Sequence, residues 1–342
     1  MEHSYLKTRP LQRGIIVVLL AVAVFALPVM AAGDPDLGDR GSVISGPHPY
    51  EAGVGEAWEN GAIALVRGGG DIWIMNNDGS GQTQLTNSPE ADLAPSWSPD
   101  GKQLAYLQSA ETITGRKYYM KVMNADGTGQ VTLTNVILRN SSYSTGSISW
   151  SPDGSKLAFT SFISDFDSEI FTINTDGSGR VNLTNDPSHQ EGHPSFAPDG
   201  MRIAFSKSQS GVVDSALYLM NSDGTNVRRW GGDALFSDGH GVKWSPDSLG
   251  FLYRSTLWGD CDCLISQKIN GTGFIFLISD YMGGPADWSP DGTKAVFSNL
   301  SGIFIIGAYA TNSRPIYIGP PDGRQPDWQP LPVTRQTILA ER

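Results

Sequence analysis

Trp97-Ser98-Pro99-Asp100-Gly101 returns as Trp150-Ser151-Pro152-Asp153-Gly154, Phe196-Ala197-Pro198-Asp199-Gly200, Trp244-Ser245-Pro246-Asp247-Ser248 and Trp288-Ser289-Pro290-Asp291-Gly292, with a worn copy at Trp328-Gln329-Pro330. The aromatic positions lie 53, 46, 48, 44 and 40 residues apart. A repeat in this range is one supersecondary unit stacked on copies of itself, and roughly 40–45 residues is the length of a four-stranded propeller blade. Proline presets φ for the second position of a tight turn, and Asp and Gly suit the next two.

The rest of each unit follows in fixed order. After the turn comes a short apolar run, as in Leu104-Ala105-Tyr106, Leu157-Ala158-Phe159, Ile203-Ala204-Phe205, Phe251-Leu252-Tyr253 and Ala295-Val296-Phe297. A third run, such as Ile72-Trp73-Ile74-Met75 or Leu217-Tyr218-Leu219-Met220, leads into Asn-x-Asp-Gly at 76–79, 124–127, 174–177 and 221–224. Asp-Gly between apolar runs predicts a hairpin whose two central residues both take φ > 0. The fourth run ends in Leu-Thr-Asn at 85–87, 133–135 and 183–185. Runs this short with regular turns predict an all-β chain. The first unit opens at Ile63-Ala64-Leu65-Val66 without an aromatic strand, and the last stops at Pro326-Asp327-Trp328. Joining the two predicts a six-bladed β-propeller of four-stranded blades, closed by setting the C-terminal strand beside the N-terminal three, which leaves no open sheet edge.

These repeats, and the ending Gln325-Pro326-Asp327-Trp328-Gln329-Pro330-Leu331-Pro332, resemble the TolB-type six-bladed β-propellers, the WD-like repeats of many exported bacterial proteins. The resemblance covers 61–332 and implies fold, not activity, because one fold hosts unrelated functions. TolB itself carries an α/β domain ahead of its propeller, whereas only some thirty residues separate leader and first repeat here, so the Tol-system role is not carried over. Related propellers accompany prolyl-oligopeptidase hydrolases, but this chain has no Gly-x-Ser-x-Gly.

Lys7, Arg9 and Arg13 precede an apolar stretch over 14–30, and Val29-Met30-Ala31 offers small residues for cleavage. Residues 1–31 therefore read as a signal peptide, with an uncleaved anchor as the rival, 32–60 as a linker, 61–332 as the propeller and 333–342 as a tail. A monomer exported to the periplasm or beyond is expected, with no membrane span after leader cleavage. Net charge is −11, or −13 without residues 1–31. An acidic surface repels phosphate backbones, so nucleic acid is not a partner. The two cysteines, Cys261 and Cys263, read first as incidental thiols, with a strained local disulfide or a soft-metal site as alternatives.

In the usual propeller order the aromatic strand is innermost, and the Pro-Asp-Gly and Asn-x-Asp-Gly turns share one face. Their aspartates, Asp100, Asp153, Asp199 and Asp291, then read as scaffold. The opposite face receives the segments leading to the inner strands. These carry Asp92, then His189-Gln190-Glu191-Gly192-His193, then Asp238-Gly239-His240, with His193 and His240 at similar positions in neighbouring blades. Two longer loops are expected there, over 108–116 and 161–169. Asp165, Asp167 and Glu169 in the second read as a solvated acidic loop, and Phe162 and Phe166 as exposed anchors for a protein. Asp92, Phe166, His189, Glu191, His193, Asp238 and His240 are thus the candidate ligand-binding residues. Imidazole with carboxylate suits a polar ligand or a divalent metal, although backbone-bonded loop histidines account for the pattern too. The leading reading is a non-catalytic scaffold, without a cofactor, that binds a protein or cell-envelope ligand. A metal-assisted lyase or hydrolase acting on sugars through channel-mouth histidines, and a structural or sensor module, are the alternatives.

Overall fold

The computed structural model describes residues 58–113, 115–138, 147–164, 167–209, 214–231, 236–237, 241–255, 263–273, 275–278, 284–308, 316–320 and 322–332. All secondary structure among them is β, in 25 strands. The strands follow the sequence repeat. β1 (Trp58–Arg67), β2 (Asp71–Met75) and β3 (Thr83–Gln84) come first, and β4 (Asp92–Trp97), β5 (Gln103–Thr112), β6 (Gly115–Asn124) and β7 (Val131–Val136) make the second group. The third is β8 (Ile148–Trp150), β9 (Lys156–Ser164), β10 (Asp167–Asn174) and β11 (Val181–Asn182). The fourth is β12 (His189–Phe196), β13 (Arg202–Gln209), β14 (Asp214–Asn221) and β15 (Arg228–Arg229), followed by the short β16 (Phe236–Ser237). The fifth is β17 (Val242–Trp244), β18 (Gly250–Ser255), β19 (Cys263–Lys268) and β20 (Ile275–Ile278), and the sixth is β21 (Ala286–Trp288), β22 (Lys294–Asn299), β23 (Gly302–Gly307) and β24 (Ile316–Tyr317).

β25 (Arg324–Pro332) pairs antiparallel with β1, in the register Ile63↔Trp328 and Ala64↔Asp327, so the first sheet runs β25-β1-β2-β3. The second and sixth groups are separate four-stranded sheets, while groups three to five form one 13-stranded sheet. It is continuous through a Ser168↔Gln190 bridge and through β16, which pairs with both β14 and β18.

The core lies between neighbouring groups. The second strand of each carries a continuous apolar triplet because both its faces are covered. Tyr106, Phe159, Phe205, Phe251 and Phe297 are fully buried there. Trp97, Leu104 and Tyr106 pack with Ala64 and Ile72 of the first sheet, and Ile63 and Trp328 pack with Val296 and Ile303 of the sixth. Polar bonds also link the innermost strands. The Trp97 N–H donates to Asp327 Oδ2 (2.7 Å), the Trp328 N–H to Asp287 Oδ2 (2.9 Å), and the Trp288 indole to the Lys243 carbonyl (3.3 Å). The Trp244 indole donates to the Ser195 carbonyl (3.0 Å), the Phe196 N–H to Ser149 Oγ (2.9 Å), and the Trp150 indole to the Ser96 carbonyl (2.9 Å).

Several expectations change. In the Asn-x-Asp-Gly turns only the glycine is left-handed (Gly79, φ 84°), and the Gly79 N–H donates to the Asn76 carbonyl. This is a three-residue turn ending in a left-handed glycine, not a turn with two such residues. Most of 108–116 and 161–169 is strand: β5 and β6 stay paired to Thr112↔Gly115, and β9 and β10 to Ser164↔Asp167. Glu169 is no solvated loop acid but 1% exposed within β10, and Phe162 is half-buried. β1 begins at Trp58, inside the segment expected to be linker. Cys263 is disulfide-bonded, not a free thiol; the chain's other cysteine, Cys261, lies outside the described residues. Outside them too lie the segments read as leader and tail, and Asp165, Phe166, Asp238 and His240.

Candidate functional site

β12 pairs antiparallel with β13 from His189 to Phe196. Alternation along a strand puts His189 and Glu191 on one side. Glu191 pairs directly with Lys207 of β13. The turn before β12 supplies Asp186, which collects four bonds. Its Oδ1 accepts from the Ser188 N–H (3.2 Å) and hydroxyl (2.7 Å), and its Oδ2 from His189 Nδ1 (2.9 Å) and Lys207 Nζ (2.6 Å). A carboxylate only accepts, so His189 donates to Asp186 through Nδ1. Glu169 of β10 accepts from the Asp186 N–H at 2.7 Å and, very closely, from the Thr184 hydroxyl.

Five titratable groups thus meet at this junction: Glu169, Asp186, His189, Glu191 and Lys207. Glu191 is the most enclosed. Its side chain has no exposure, Lys207 Nζ lies 2.9 Å from Oε1, and neither oxygen has a partner in hydrogen-bond geometry. Burial pushes the Glu191 carboxyl up to about 7 against the pull of Lys207. Burial also raises Glu169, while the Lys207 bond holds Asp186 well below the usual carboxylate range. For Lys207 burial acts downward, but Asp186 and Glu191 outweigh it and raise the ammonium.

His193 sits at a β-bulge between the Gly192 and Ser195 pairings, with φ at 54°. Its N–H donates to Thr160 Oγ1 (3.1 Å), and its Nδ1 meets Ser206 Oγ at 3.2 Å. The Ser206 hydroxyl gives its one proton to the Gly192 carbonyl (2.9 Å), so Nδ1 of His193 is the donor and Nε2 bears the lone pair. Burial lowers this imidazole to about 4, leaving it neutral at physiological pH. Ala94 and Gly241, each three residues before their aromatic, share the left-handed conformation. Gly241, not His240, is thus the counterpart of His193.

Asp92 is the counterpart of Glu191, five residues before its aromatic, and is likewise fully buried. Gln108 Nε2 (3.0 Å) and Ser88 Oγ (3.3 Å) donate to it where Glu191 has a lysine. Asp92 joins neither His189 nor His193. The sequence reading brought His189 and Glu191 to one place but missed Asp186, Lys207 and Glu169. It also missed a second charged group on the inner strands, where Lys243 lies 3.3 Å from Asp327 and 3.7 Å from Asp287. Asp287 is raised by burial, with Lys243 opposing and Asp327 reinforcing the shift. A signal was available, since Lys243, Asp287 and Asp327 each directly precede the repeat aromatic, where Ser96, Ser149 and Ser195 stand elsewhere.

Stacked four-stranded units with buried aromatics on their innermost strands define a propeller-class protein. The family model for the TolB beta propeller domain matches residues 103–330, and the chain belongs to that family. Among solved structures, TolB from Acinetobacter baumannii superposes with a TM-score of 0.64 at 21% identity, over 79% of this chain and 66% of that one. A chain of a nidogen/laminin complex gives 0.60 at 11% identity, over 78% and 98%. An oligogalacturonate lyase from Vibrio parahaemolyticus gives 0.50 at 13%, over 77% and 85%. At these identities the likeness is one of fold. Among curated proteins, an uncharacterized protein of Agrobacterium fabrum is 28% identical over 216 residues, 61% of this chain and 66% of its own length. The Tol-Pal system protein TolB of Polaromonas is 46% identical over 37 residues, 11% of this chain and 9% of its own. This chain therefore spans less than two thirds of either relative. Among the described residues no helix is long and apolar enough to cross a membrane.

Proposed function

We propose that this chain is an exported, closed six-bladed propeller that acts as a non-catalytic scaffold, binding a protein or cell-envelope ligand on the face opposite its Pro-Asp-Gly turns. The hydrogen bonds linking β4, β25, β21, β17, β12 and β8 in turn, and β8 back to β4, support six blades and closure. The observation that carries the binding reading is a set of exposed aliphatic side chains near hairpin tips that differ from blade to blade. Ile113 is fully exposed beyond β5, Ile163 stands near the end of β9, and Leu300 is 81% exposed between β22 and β23. Water-exposed aliphatics on variable loops above a rigid framework are the usual makings of a recognition surface. The turn face also exposes Met201 and Leu249, but its loops repeat one motif whose aspartates are occupied by their own turns.

The test is capture from an envelope extract by immobilised protein. Combined Ile113→Asp and Ile163→Asp is expected to abolish capture without altering the fold, and Met201→Asp on the turn face to leave it intact. The opposite pattern would place binding on the other face. The rival, a metal-assisted lyase, requires turnover of an acidic polysaccharide that stops on chelation; such turnover by the purified chain would replace the scaffold reading.

A further inference from the structure

The junction of β10, β12 and β13 is short of positive charge. Glu169, Asp186 and Glu191 bring three carboxylates, Lys207 brings one ammonium, and His189 brings an imidazole bonded to Asp186 through Nδ1. Three carboxylates thus face a single lysine and a single imidazole. The deficit is concentrated on Glu191, a carboxylate with no side-chain exposure and no donor in hydrogen-bond geometry on either oxygen. A buried ionised carboxylate without donors is costly, and a cation is the direct remedy. One ligand atom each from Asp186, His189 and Glu191 lies within 4.8 Å of the others, so at most a small contraction would bring all three to about 2.0–2.2 Å from one central ion. We propose that Asp186, His189 and Glu191 form a site for a divalent cation of the zinc or manganese class, and that Lys207 is a tethered ammonium occupying it when no metal is bound.

Chemistry sets the class. Two carboxylates with an imidazole suit Zn²⁺ and Mn²⁺, whereas calcium and magnesium sites are built from oxygen alone. Displacement of Lys207 is local. Its side chain is 12% exposed on a flexible stem, and the Tyr218 ring 5.7 Å from Nζ gives the ammonium an aromatic face nearby. The imidazole joins by passing its proton from Nδ1 to Nε2 or by turning its ring, and the bond to Asp186 breaks in either case. The divalent ion brings one more positive charge than the lysine it replaces.

The experiment is calorimetric titration of the chelator-treated full chain with Zn²⁺ and, separately, Mn²⁺, with the unfolding midpoint followed in parallel. It reads cation uptake, so its outcome is independent of whether the chain captures an envelope partner. Wild type is expected to take up one equivalent with a raised midpoint. His189→Ala and the nearly isosteric Glu191→Gln should each weaken that uptake at least tenfold, and Lys207→Met should tighten it by a similar factor. No uptake by wild type, or unchanged uptake in both His189→Ala and Glu191→Gln, overturns the proposal. Uptake only by Lys207→Met overturns it as well, since the lysine is then the site's permanent cation. Should Lys207→Met fail to fold, the other two variants decide.

Discussion

Each turn aspartate is held by its own turn. Asp153 Oδ1 accepts from the Ser151 hydroxyl (2.6 Å) and the Ser155 N–H (3.0 Å), bonds that keep its pKa below the usual value. A carboxyl lowered on folding stabilises the protein above its unfolded pKa and loses that contribution as pH falls through the folded one. Asp153→Asn is therefore expected to reduce stability at pH 7 and flatten its decline below about pH 4, as read by urea midpoints across an acid series; an unchanged slope would separate the turn from acid sensitivity. Trp150, 6% exposed with its indole bonded to the Ser96 carbonyl, is core. Trp150→Ala should cost about 3–5 kcal/mol, and a denaturant midpoint near wild type would refute its burial. Such residues were legible because the repeat names them. The charged junction was only half legible: His189 and Glu191 stand two apart in one strand, but Lys207 arrives through strand pairing and Asp186 through a turn.

Among elements, the strands and Pro-Asp-Gly turns could be read directly, whereas the projecting hairpins could not. The polar ends of β5–β6 and β9–β10 look like loops, yet cross-strand pairs such as Glu169↔Ser161 keep them in the sheet. The glycines of the two turn types also differ in a way the sequence conceals. Gly79 and Gly154 are both left-handed, at φ 84° and 70°. A Cβ on Gly154 meets nothing within 4 Å, but one on Gly79 would lie 1.6 Å from the Ile318 carbonyl oxygen. Gly154→Ala is expected to cost only the conformational penalty, about 1–2 kcal/mol. Gly79→Ala should add a further clash of about 1–3 kcal/mol where β2–β3 abuts the sixth sheet. Equal costs in chemical denaturation would show that the first sheet does not press on its neighbour.

At the scale of the molecule, the sequence pointed to a C-terminal strand completing the first sheet, and β25 pairs with β1 in that way. Deleting residues 324–332 should strip β1 of a partner, break the Asp327 bond to β4 and the Trp328 bond to β21, and yield an aggregating product. A soluble truncation with a single sharp unfolding transition would show that the closure proposed here is not needed. The β1–β25 pairing also has a geometric consequence. Trp58 stands opposite Pro332. The Gly101 turn packs against the Pro330 carbonyl, so both positions lie toward the turn end of the sheet. Whatever is attached before residue 58 or after residue 332 is therefore joined to the same end of the first sheet, beside the Gly101 turn.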